Sequence, residues 1–227
     1  LVFGFDLMYG LPGDSLTSFK ASLDFALALY PNNVEIFRLS VLPGTDLFDK
    51  AADLALVCNP RPPYQVIKTD SCSEQELSRI QNLAEACDLF YTQGRAVSWF
   101  LSALQALRLK PSQFLQDFAL FISAKNIKKN TRHFDIEEIQ LEFLKEKFQE
   151  KKKAFLLPAL IDVVKLNGAF TRALAEGEET RLQLSYHPED VLSSDALDLE
   201  FFTENACMEH CYVRIFPGPE GPKLSVE

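Results

Sequence analysis

An α/β segment, then a helical region, then a small antiparallel sheet: this is the fold class the sequence predicts. Three observations predict it. Two apolar runs of strand length, Leu1 to Tyr9 and Val34 to Leu42, are separated by a helix-length amphipathic stretch. Apolar residues then recur every three or four positions from about residue 74 to 177. Beyond 178 the period drops to two, with Leu182, Leu184 and Tyr186 alternating with Arg181, Gln183 and Ser185.

In residues 1–57, the run Leu1 to Tyr9 reads as a strand buried on both faces. Gly10-Leu11-Pro12-Gly13 stops it, and Asp14 or Ser15 caps the next helix, which turns Phe19, Leu23, Ala26 and Leu27 to one side. Pro31-Asn32-Asn33 ends that helix before the second strand. Pro43-Gly44-Thr45 then turns the chain into a short helix from about Asp46 to Leu56, with Thr45 as its N-cap. Strand–helix–strand spacing of this kind makes a right-handed parallel crossover. Two parallel strands do not make a stable sheet alone, so they call for partners elsewhere.

Residues 58–73 read as a linker, because Pro60, Pro62 and Pro63 remove backbone donors and push their neighbours to extended geometry. Residues 74–177 read as a helical accessory domain. Gly94 marks a kink or a close approach, Asp135 with Glu138 resembles a capping box, and Pro158 and Gly168 break the last stretch into pieces. Residues 178–227 read as a small β region, with Leu197 to Phe202, Cys211 to Phe216 and Lys223 to Val226 as further strands around the Pro217–Pro222 turn.

The net charge of −9 argues against a bulk electrostatic binder of nucleic acid or anionic membrane. No run of about 18 apolar residues is read in the sequence, so no transmembrane helix is expected. Five cysteines, an odd number at scattered positions with no export signal, suggest free thiols in a cytoplasmic setting. The bare apolar strand at the start predicts a fragment cut from a longer polypeptide. Its missing N-terminal part would be the first partner, and a fragment alone would cover its strand edge by oligomerising or by packing on its own helices.

The chemistry-bearing candidates sit at the carboxyl ends of the two strands, where α/β folds place ligands. In the first loop Gly10 and Gly13 permit close backbone approach, and the following helix directs its positive end there. Spacing alone is equally that of a tight turn serving geometry. The Gly-Lys-Ser/Thr ending of a phosphate-binding loop is absent. The second loop repeats the pattern of Pro-Gly followed by a polar cap. Arg38, inside an apolar strand, suits either a carboxylate in a barrel interior or packing with its head at the surface.

Here the residues resemble a known family. Asp6-Leu7-Met8-Tyr9-Gly10-Leu11-Pro12-Gly13-Asp14 is similar to the fifth strand of radical S-adenosylmethionine (radical SAM) barrels, and Val34 to Leu47 to the sixth. The stretches Pro62 to Val66 and Leu89 to Arg95 are similar to the C-terminal extension of members that carry an N-terminal cobalamin-binding domain. The resemblance implies the last βαβα piece of a partial (β/α)6 barrel. It implies S-adenosylmethionine and a [4Fe–4S] cluster in the parent protein, with cobalamin as a further implied cofactor there. It assigns cofactor contact to Met8, Gly10, Leu11 and Gly13, and to Leu42, Pro43 and Gly44. It assigns no catalytic residue to this chain. The cluster needs three cysteines spaced CxxxCxxC, which this sequence lacks, so the chain alone is expected to be inactive. The competing expectation is a non-catalytic interaction or regulatory module whose Gly-Pro turns are purely structural.

The remaining candidates read as structural. Cys207 and Cys211 share one strand face with His210 on the other, which opposes joint metal ligation. His133 and His187 read as surface or cap residues, Trp99 as core, and Lys145 to Lys153 as a solvated face of paired charges.

Overall fold

A computed structural model describes residues 2–127 and 132–227. The chain divides into two compact units, one of residues 1–88 and 110–125, the other of 89–109 and 126–227. The helical stretch 74–177 therefore contributes to both, apart from residues 128–131, which lie outside the described residues.

The first unit is built on β1 (Gly4–Tyr9) and β2 (Asn33–Arg38), paired in parallel from Gly4 opposite Asn33 to Tyr9 opposite Arg38. The crossover between them is α1 (Leu16–Ala28), capped by Ser15 in a reciprocal box with Ser18. The apolar stripe Phe19, Leu23, Ala26 and Leu27 is buried as its spacing predicts, and the Phe19 ring meets Tyr9 edge-on at 5.8 Å. Beyond β2 the chain passes Thr45, which caps α2 (Asp46–Asp49) by accepting from the Phe48 amide. The helix predicted to Leu56 stops at Asp49, and turns carry the chain on.

The proline-rich stretch is structured. It lies between β3 (Val57–Cys58) and β4 (Val66–Lys68), which pair antiparallel. The chain after β2 also pairs with it: the Val41 amide donates to the Tyr64 carbonyl and the Val66 amide to that of Leu39. Two helices complete this unit, α3 (Glu74–Cys87) and α5 (Pro111–Ala124). Ser73 caps α3 in a box with Glu76. Asp24 of α1 accepts from the Ser112 amide (2.6 Å) and hydroxyl (3.1 Å), which fixes α5 on α1.

A π-helical turn, Asp88–Gln93, lies almost wholly in the second unit, which also contains α4 (Phe100–Leu107), α6 (His133–Glu150) and α7 (Leu157–Ala175). Phe90 meets Trp99 and Phe143 edge-on at 5.7 and 6.3 Å, so Trp99 is core as expected. Its sheet runs β5–β6–β7 (Thr180–Tyr186, Met208–Phe216, Lys223–Val226), antiparallel throughout. Two short helices, α8 (Pro188–Val191) and α9 (Leu199–Asn205), lie between β5 and β6.

Three local expectations are corrected. Leu197 to Phe202 is not a strand, because the Asp198 carboxylate accepts from the Glu200 and Phe201 amides and starts α9. Asp135 does not open a capping box; α6 begins at His133, and Asp135 pairs instead with Arg132 at 3.2 Å. Gly168 does not break α7 but sits inside it.

By length and composition the stretch Ala154–Ala175 is apolar enough to cross a membrane. It is nonetheless the core helix of the second unit. It packs on α6 and β5 and carries two buried charged residues, Asp162 and Arg172, both hydrogen-bonded within the unit.

Candidate functional site

The parallel sheet is covered on one side only. Tyr9 and Val34, with the half-buried Phe5, Leu7, Ile36 and Arg38, lie on the side that α1 packs against. On the other side Gly4, Asp6 and Met8 of β1 stand opposite Asn33, Glu35 and Phe37 of β2. Asp6, Met8, Glu35 and Phe37 are exposed. Two-sided burial, expected from the continuous apolar run, is thus not met within this chain. Arg38 falls on the helix side, where its Nε donates to the Val66 carbonyl at 2.7 Å. It does not reach the open face.

Both loops that follow the strands leave the same end of this sheet. Of the residues singled out there, Met8 (47% exposed), Leu11, Gly13, Leu42 (51% exposed), Pro43 and Gly44 are all accessible. Gly10 is buried. Its φ of +83° requires glycine, and an added Cβ would touch Leu39, Val66 and Leu77. Gly13 and Gly44 also have positive φ but face open space, so a ligand could approach their backbone. Ser71 donates to the Asp14 carbonyl at 2.8 Å and ties the first loop to the start of α3.

A second constellation lies wholly in the other unit. Arg172 of α7 is 1% exposed; its Nη1 donates to Glu137 of α6 at 2.6 Å and lies 3.3 Å from His133 Nδ1. Arginine only donates, so Nδ1 is the acceptor and the imidazole is neutral at that nitrogen. Burial, then Arg95 and Arg172, lower the His133 pKa to about 4, with the Gly94 backbone as a further hydrogen-bond partner. Arg95 is ion-paired to Glu176, one helical turn beyond Arg172. Gln140 of α6 donates to the carbonyls of Phe90 (2.7 Å) and Gly94 (3.1 Å). Gly94 is therefore a close approach, for a Cβ there would overlap the Gln140 amide and the Phe90 carbonyl.

His133 is thus half-buried at the start of α6 with partners of its own, whereas His187 caps α8, accepting from the Glu189 amide. Sequence reasoning missed this cluster; His133, Glu137 and Gln140 share one helix face, and Gly168 and Arg172 stand four apart on the next helix, but neither spacing by itself says that the two faces meet. Elsewhere in the unit, Lys147 pairs with Glu150 and Lys153 with Glu200 of α9, so the lysine run is only partly a solvated face. Among the described residues no three His, Cys, Asp or Glu side chains are grouped to hold a metal ion, and all five cysteines are free.

A family model described as a protein of unknown function, DUF4080, matches residues 53–171, more than half of the 227 residues. The chain belongs to the DUF4080 family. The DUF4080 match begins after the parallel sheet and runs from the β3–β4 hairpin through α3–α6 and most of α7. It includes Gly94, Arg95, His133, Glu137, Gln140, Asp162 and Gly168, and stops one residue short of Arg172. No curated protein matches the chain.

Proposed function

We propose that this DUF4080 chain is the C-terminal part of a radical SAM enzyme. On this reading β1 and β2 are the last two strands of a partial (β/α)6 barrel, and their open face looks into the barrel. The observation that carries it is the one-sided parallel sheet. A helix seals one face, the other exposes Asp6, Met8, Glu35 and Phe37, and both strands end in open Gly-Pro loops. An apolar strand run with one bare face is what a barrel wall without its neighbouring strands would expose.

The seven loop residues suit S-adenosylmethionine. Met8, Leu11 and Leu42 offer exposed apolar surface to a flat base, and Gly13 and Gly44 let backbone groups come close. Buried Gly10 holds the turn rather than touching the ligand. The residues do not suit the iron–sulfur cluster, whose three thiolates have no counterpart here. When bound in the parent, S-adenosylmethionine supplies radical chemistry through its reductive cleavage. This chain's part is to orient the adenine side and exclude water. The rest of the catalytic apparatus, including any cobalamin domain, belongs to the missing part of the polypeptide, and the isolated chain is inactive. Free thiols throughout are in keeping with a cytoplasmic protein.

The test is the reading frame upstream of Leu1. A CxxxCxxC within a βα-patterned stretch supports the proposal. A native start near Leu1 removes it and leaves an interaction module.

A further inference from the structure

We propose that Arg95 and Arg172, with His133, form a binding site for a small monoanionic carboxylate in the second unit. Arg172 Nη2 and Arg95 Nη1 are both shielded from solvent and have no hydrogen-bond partner. A buried guanidinium donor without an acceptor is costly. Arg172 lies against the His133 ring and Arg95 acts on the same ring electrostatically, and the proposed site supplies one acceptor to both orphan donors. Arg172 forms the floor, being almost wholly buried, and His133 lies against it. Arg95 and Glu176, each about one third exposed, are the solvent-facing members of the group.

The class of ligand follows from charge. Arg95 and Arg172 are balanced by Glu176 and Glu137, and these two carboxylates repel a dianion about twice as strongly as a monoanion. A planar carboxylate can also take one N–H from each guanidinium. The arriving charge raises the proton affinity of His133, which faces Arg95, Arg172 and Glu176, with Glu137 joined to the same Arg172 nitrogen. Carboxylate uptake is therefore coupled to proton uptake at this ring. The site is independent of the barrel reading, since none of its residues belongs to the first unit.

The experiment is an NMR titration of the His133 ring signals in the whole chain, adding sodium acetate at constant ionic strength against sodium chloride, with phosphate as a second arm. Saturable binding of acetate that raises the His133 pKa is expected. Arg95→Gln weakens it by about tenfold or more, the loss of a charge-assisted hydrogen bond. Glu176→Gln frees Arg95 and tightens it by roughly three- to fivefold. If Arg95→Gln does not fold, the opposite-sign Glu176→Gln variant decides alone. No saturation, unchanged binding in these variants, tighter binding of phosphate, or a lone water bridging the two nitrogens in acetate-soaked crystals overturns the assignment.

Discussion

Glu137 on α6 and Arg172 on α7 form a buried ion pair, 2.6 Å long, across a gap that exists because position 168 has no side chain. A Cβ on Gly168 would overlap the Glu137 carboxylate and stand 3.1 Å from Arg172 Nη1. Burial raises the Glu137 pKa while Arg172 lowers it, so the pair is a balance of desolvation against attraction.

Gly168→Ala sets two effects against each other. Alanine gains about 1 kcal/mol of helix propensity over glycine. Displacing one partner of a buried pair costs roughly 3–5 kcal/mol. The expected outcome is a net loss of at least ~2 kcal/mol, read as a lower denaturant midpoint. A midpoint that rises would mean the two helices pack otherwise.

Asp162 of α7 accepts from the amides of Ser185 (2.6 Å) and Tyr186 (3.0 Å), at the place where the β5–β6 register shifts. A shifted register leaves ladder donors unmatched, and the carboxylate takes them. Burial nevertheless lifts its pKa from 3.8 to about 6, against the pull of those amides, Lys165 and His210. The folded state therefore binds the proton more tightly than the unfolded one. Stability contributed by Asp162 is fully present below about pH 4 and is lost as the pH rises to about 6, by about 2–3 kcal/mol in all. Chemical denaturation of wild type and Asp162→Asn across this range should give a difference that falls with rising pH. A flat difference would show that Asp162 titrates normally.

Gln140 reaches two carbonyls where the π turn ends, at Phe90 and Gly94. Gln140→Met keeps the volume and removes both hydrogen bonds. A loss of about 1–3 kcal/mol is expected in equilibrium unfolding. An unchanged stability would mean the end of the π turn is held by apolar packing alone.

What was legible in the sequence was local. Ser15 and Thr45 cap because a hydroxyl before a helix-length pattern meets amides three residues on, and the stripe on α1 follows from its period. Ser73 with Glu76 carried the same signal unread. Leu197 to Phe202 misled because an apolar cluster of six fits a strand or a helix turn, and Asp198 decides for the helix. The Arg172 cluster was not legible because its members come from three separated segments. Each read alone as an ordinary polar residue on a helix or beside a loop. The bare sheet face was hidden for the opposite reason: the apolar run of β1 predicts burial on both faces, and among the described residues its sheet has two strands and a helix on one side.

The most direct test of the central claim is S-adenosylmethionine binding to the full-length protein reconstituted with iron and sulfide, followed by calorimetry and by thermal shift. The account predicts a saturable isotherm and a raised melting temperature, since a ligand of the native state stabilises it. Leu42→Asp, at an exposed position, should leave folding intact and weaken binding by about tenfold or more. No binding to the reconstituted wild type, or equal binding by Leu42→Asp, would contradict it.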